Sequence, residues 1–174
     1  ISALVHCQAT HLAALVSGAG AAEVLTIGEQ SVAAVFDFGK VVFGRVALEL
    51  TGPAGAMVDY AYGEQLEPDG RVRMNAGIIG YDNVRQANRY ILREGTQRWE
   101  QFEPVGFRYL QVTFRQCVRP LRVHAVKVNH IGYPVAAHGR FACSDELLTH
   151  IWQTGADTLR LCMHDAYVDC PTRE

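Results

Sequence analysis

The chain has 174 residues, 49% of them hydrophobic and 20% charged, which suits a globular domain with apolar side chains enough for one sizeable core. A net charge of only −2 supplies no basic field for gripping nucleic acid or anionic lipid, so neither is expected as a partner. Cys7, Cys117, Cys143, Cys162 and Cys170 are odd in number and lack a Cys-x-x-Cys pair, which favours buried thiols in a reducing, cytoplasmic setting, with export left open.

Residues 1–30 are dominated by alanine and glycine and carry vague turn signals. They read as the end of an upstream domain or as a lead-in. The apolar run LAALVSGAGAA at 12–22 lacks a preceding basic region and is too short to span a bilayer, so no membrane segment is expected. A chain that opens at Ile1 and stops at Glu174 reads as a piece of something longer.

From Ser31 the pattern is that of strands. In VALELTG, Val46, Leu48 and Leu50 alternate with Ala47, Glu49 and Thr51, the period of two that marks a half-buried strand. Gly-Pro-Ala-Gly at 52–55 is a turn, and beyond it Val58, Tyr60 and Tyr62 alternate with Met57, Asp59 and Ala61. The two runs predict an antiparallel hairpin. Glu67-Pro-Asp-Gly70 is a further turn, opening a less regular passage to Asn83. Strand signals return at ANRYILREG, QRWEQFEPV, FRYLQVTFR and LRVHAVKVNHIGY. Short strands at regular intervals predict a mainly β fold, an antiparallel sandwich of jelly-roll type, over residues 31–140.

At Cys143 the period changes. Leu148, Ile151, Trp152, Ala156, Leu159 and Cys162 share one face at helical spacing. Ser144 is the expected N-cap, with Asp145 and Glu146 in the first turn. The apolar face has no partner within the chain, so residues 141–174 are expected to open a helical domain.

Other residues invite chemistry and receive plainer readings. Trp99, Phe102, Phe107 and Tyr109 could form a sugar-stacking platform, but core packing is the stronger expectation. Glu64 and Asp69 fall short of a calcium ligand set. The histidines, including His6, His11, His124 and His130, show no metal-binding spacing, and no cofactor is expected. Cys170 is read as structural, because no histidine is positioned by motif to activate it.

The last hexapeptide, Asp169-Cys170-Pro171-Thr172-Arg173-Glu174, sets two carboxyl groups in a loop that Pro171 keeps out of the helix. Such a loop suits catalytic side chains. YVDCPTRE, preceded by CSDELLTHIW, resembles the start of the helical catalytic domain of bacterial α-L-rhamnosidases. FDFGKVVFGRVALELTGPAGAMVDYAYGEQLEPDG and RYILREGTQRWEQFEPVGFRYLQVT resemble, in the same order, the β-sandwich that precedes it. The resemblance implies an antiparallel sandwich followed by the first helix of a truncated (α/α)6 barrel. It implies a hydrolase that removes terminal α-L-rhamnose from rhamnose-containing glycosides with inversion. Carried over residue by residue, Asp169 would contact sugar hydroxyls in the active site, Glu174 would be the general acid, and Arg173 would orient groups or touch substrate. The general base and the aromatic walls would come from the remainder of the catalytic domain, so residues 1–174 alone are expected to be inactive. The alternative is a non-catalytic carbohydrate-binding or scaffolding sandwich.

Overall fold

A computed structural model describes residues 8–17, 19–74, 86–136 and 138–172. Among them are eight strands and two helices. Strands β1 (Gln8–Thr10) and β2 (Ala22–Leu25) flank a one-turn helix, α1 (Ala14–Ser17). Then come β3 (Ser31–Gly52), β4 (Met57–Gly63), β5 (Ala87–Ile91), β6 (Gly95–Glu100), β7 (Val105–Arg115) and β8 (Leu121–His130). Helix α2 (Glu146–Leu161) follows.

All strand pairings are antiparallel, and β3 divides them into two layers. Its first half, Ser31–Asp37, pairs with β7, which pairs with β4, which pairs with β5. Its second half, from Ala47 to Thr51, lies between β6 and β8, and β8 continues to β2 and β1. Between the halves the register with β7 breaks from Asp37 to Val42. Gly39 takes a positive φ of 77° there, a conformation that costs glycine no Cβ clash. The Asp37 carboxylate fixes the bend by accepting from the Gly39 N–H at 2.7 Å and from Arg108 at 2.8 and 2.9 Å.

The core fills the space between the layers. Val58 and Tyr60 of β4 and Leu110, Val112 and Phe114 of β7 are buried from one side; Val46, Leu48, Leu50, Leu121 and Val123 are buried from the other. Trp99 of β6 reaches across to Tyr60 and Tyr90, with ring centroids 5.5 and 5.2 Å apart. On the other face of β4, shared by Met57, Asp59 and Ala61, the Asp59 carboxylate is held by Arg89 at 2.5 Å and Arg115 at 2.9 Å. This is the alternation read from the sequence.

The expected hairpin is not formed. Strands β3 and β4 are consecutive, yet β4 pairs with β5 and β7. By Gly52 both edges of β3 are occupied, by β6 and β8. The turn at 52–55 therefore carries the chain into the opposite layer. Alternation places apolar side chains inward in either arrangement, so it cannot separate strands joined edge to edge from strands facing across a core. Residues 1–30 contribute β1 and β2 to the β8 side. Much of the irregular passage before Asn83, together with His6 and Cys7, lies outside the described residues.

Two further expectations change. The N-cap of α2 is Asp145, not Ser144: Asp145 is extended, with φ −94° and ψ 108°, and its carboxylate accepts from the Leu147 N–H at 2.9 Å. The carboxylate satisfies a donor that the first turn leaves open, and Ser144 falls one residue too early to do so. Of the four aromatics assigned to the core, Phe107 is fully buried and Trp99 and Tyr109 are half-buried, but Phe102 is 86% exposed. Phe102 stands beyond the end of β6, where strand alternation no longer aims side chains inward. The thiols are also mixed: Cys117 and Cys162 are buried, whereas Cys143 is exposed. No helix among the described residues is long and apolar enough to cross a membrane.

Phe114→Ala should lower stability by about 3–5 kcal/mol, through lost burial and the cavity left behind. Phe102→Ala should change it by less than about 0.5 kcal/mol, as surface substitutions usually do. Urea denaturation of the two variants would test this assignment of inside and outside, and equal effects would contradict it.

Candidate active site

Helix α2 ends where Cys162 turns its N–H onto the carbonyls of Thr158 and Leu159, at 3.2 and 3.1 Å. Residues 163–167 then close a small loop through an antiparallel bridge between Met163 and Tyr167. Val168 donates back to the Cys162 carbonyl at 3.1 Å. Pro171 lacks an N–H, and the chain leaves as the loop that the sequence implied.

Four contacts seat this loop on the sandwich. The His164 ring stacks on Phe43 of β3, with centroids 4.5 Å apart and planes within 9°. The Tyr133 N–H, in the segment after β8, donates to the Met163 carbonyl at 2.8 Å. Gly106 at the start of β7 lies directly beneath Pro171, so close that a Cβ on Gly106 would overlap the Pro171 carbonyl. Beyond it, the Gln86 side-chain amide donates to the Thr172 carbonyl at 3.1 Å. Helix α2 is tethered separately, by Lys40 of the β3 bend to Asp157 at 3.2 Å. That hydrogen bond leads the causes that hold the Asp157 carboxyl below its usual range.

The sequence-derived site residues fall unevenly on this frame. Asp169 is exposed, and its carboxylate makes no hydrogen bond among the described residues. Arg173 and Glu174 lie outside the described residues. Cys170 is half-buried, with its sulfur 3.9 Å from the Thr172 hydroxyl. Cys162 beneath it has its thiol pKa pushed up, first by burial and then by the charges of Cys170 and Asp169, which opposes thiolate formation. His164 donates through Nδ1 to the Asp165 carboxylate at 3.1 Å. A hollow of about 390 Å³ opens beside the loop, lined by Tyr133, Val135, Met163, His164 and Tyr167 among others. Asp169 is not part of its wall.

Among the described residues no group of three or more His, Cys, Asp or Glu side chains is arranged to hold a metal ion. Asp69 is taken up locally, accepting from the Arg71 N–H at 3.1 Å and from its guanidinium at 2.7 Å. The residues that seat the loop were not singled out in the sequence. Gly106 could have been: a glycine at the start of a strongly apolar strand often marks a close backbone approach. Gln86 and Phe43 carry no such signal, because each acts across more than 80 positions of chain.

These features define a two-layer antiparallel sandwich joined to the opening of a helical domain. Residues 28–129 match the family described as the bacterial alpha-L-rhamnosidase concanavalin-like domain, and the chain belongs to that family. A curated relative from Formosa agariphila, named alpha-L-rhamnosidase, is 27% identical over 143 residues, covering 80% of this chain and 15% of its own length. The crystal structure of a GH78 family rhamnosidase from Bacillus sp. GL1 superposes with a TM-score of 0.77 at 32% identity, over 88% of this chain and 15% of that one. A rhamnosidase from Klebsiella oxytoca with rhamnose bound gives a TM-score of 0.66 over 94% of this chain and 32% of that one. Its 22% identity speaks for the fold alone. The chain thus spans about one seventh of the Formosa and Bacillus proteins, whose covered share is 15% in each case.

Gly106→Ala should lift Pro171 from β7 while leaving the sandwich folded. The expected cost is about 1–3 kcal/mol, as for other overpacked contacts. Hydrogen exchange should accelerate at 163–172 and stay unchanged at β4 and β7. Unchanged exchange in the loop would show that the contact does not hold it.

Proposed function

We propose that this chain is part of an inverting α-L-rhamnosidase that releases terminal α-L-rhamnose from rhamnosides. In this reading residues 31–140, joined by β1 and β2 of the preceding stretch, are the sandwich unit, and residues 141–174 begin the helical catalytic barrel. The observation that carries the proposal is the seated Asp-Cys-Pro-Thr loop of a chain that belongs to a rhamnosidase-derived domain family. The backbone of that loop is held, while the Asp169 carboxylate remains exposed and available to a ligand.

Inversion needs one carboxylic acid to protonate the leaving oxygen and one carboxylate to activate water, about 6.5–9.5 Å apart. Glu174 is assigned as the acid, Asp169 as a hydrogen-bonding partner of the sugar hydroxyls, and Arg173 as an orienting or substrate-contacting group. A bidentate guanidinium suits that last role. The base belongs to helices beyond this segment, so residues 1–174 alone should not turn over an aryl rhamnoside. The bare apolar face of α2 favours this reading over a free-standing sugar-binding sandwich, because a mere linker has no use for such a face.

In the intact protein, Glu174→Gln should keep the fold yet lower kcat by roughly 10²–10⁴-fold, the usual worth of a general acid. Unaltered kcat would refute the assignment. A separate assay of residues 1–174 should give no turnover of a nitrophenyl rhamnoside, and measurable hydrolysis would contradict the division of the site between this segment and later helices.

A further inference from the structure

We propose that Gln86 is a positioning residue for the acidic loop, acting through the Thr172 carbonyl; this rests on the reading of Glu174 as general acid. Gln86 belongs to the sandwich, yet its side-chain amide reaches Thr172 at 3.1 Å. Its own backbone is pinned on both sides. Its N–H donates to the Met74 carbonyl at 3.2 Å, and its carbonyl accepts from the Tyr62 N–H at 3.1 Å. Tyr62 is in turn only 7% exposed, held by the Phe107 ring at 5.7 Å and by the Asn88 amide at 3.3 Å. The root of the Gln86 side chain is therefore fixed to the core.

The loop end needs such a hold. Pro171 offers no N–H, so this stretch is gripped through its carbonyls. Gly106 supplies a floor beneath Pro171, but a floor alone does not fix the direction of the chain above it. The Gln86 amide adds the directional contact at Thr172, the residue that leads into Arg173 and Glu174.

The test uses the intact protein with two sets of rhamnosides, one carrying a nitrophenol leaving group and one a poorly acidic alcohol. An alcohol needs proton donation in the transition state, whereas a nitrophenol largely does not. Gln86→Met, which keeps length but lacks the donor, should lower kcat for the alcohol glycosides by about 10-fold, as small misplacements of a reacting group do. The nitrophenyl substrate should be nearly unaffected, with KM of both little changed. Gln86→Glu sets a carboxylate against the Thr172 carbonyl and should show the same leaving-group dependence, so the test survives if one variant folds poorly. Equal losses on both substrate classes, or a rise in KM alone, would overturn the positioning role. Glu174→Gln run in parallel separates the two ideas. If it spares the alcohol glycosides, the acid assignment falls and this proposal with it. If it shows the leaving-group effect while both Gln86 variants behave as the parent, only the role of Gln86 is rejected.

Discussion

One strand belongs to both layers. Strand β3 gives its first half to β7 and its second to β6 and β8, so the layers share a backbone and cannot slide past each other without breaking its ladders. Its bend from Asp37 to Val42 is fixed by the Asp37–Arg108 pair and the Gly39 conformation. The same bend presents Lys40 to Asp157 of α2 and, just past it, Phe43 to His164. A feature required to fold the sandwich thereby becomes the support on which the later chain rests.

The later chain is held in two different ways. The loop after α2 meets the sandwich through a ring stack, a glycine floor and two hydrogen bonds to carbonyls. Among the described residues helix α2 has only the Lys40–Asp157 pair as a charged tether to the sandwich, and exposed ion pairs are worth little. Its Leu147, Leu148, Ile151 and Leu159 are all at least half exposed. Covering what remains exposed of each would contribute about 1–2 kcal/mol. The sandwich thus orders the loop more directly than it orders the helix.

The layers, the core alternation and the helix were legible in the sequence because they rest on local periodicity. Val46, Leu48 and Leu50 had to face one way whichever strand lay beside them, and all three are buried. Partner choice was not legible. The turn at 52–55 looked like a hairpin because local pattern does not record that β6 and β8, more than forty residues later, occupy both edges of β3. The cap of α2 was misplaced by one residue for a smaller reason: Ser144 and Asp145 are both good caps, and only backbone geometry chooses between them. Phe102 failed because a strand's alternation was extended past the strand's end. For the site, the acidic loop was visible as a motif, whereas its supports were not. Phe43, Gln86 and Gly106 come from three separated segments that meet only in the folded chain.

The supports share a chemical character that fits an acidic site. The Gln86 amide and Gly106 are neutral, and His164 directs a ring nitrogen to Asp165. Among the described residues, no arginine or lysine bonds to the Asp169 carboxylate, although six ion pairs elsewhere on the sandwich join arginine to Asp or Glu at 2.9 Å or less. Placing such a pair in the loop would have ordered it more strongly, since a charge-assisted hydrogen bond is about twice as strong as a neutral one. It would also have occupied a carboxylate that a ligand could otherwise use. Holding the backbone through neutral groups avoids that conflict: the loop is oriented, and the Asp169 carboxylate stays exposed.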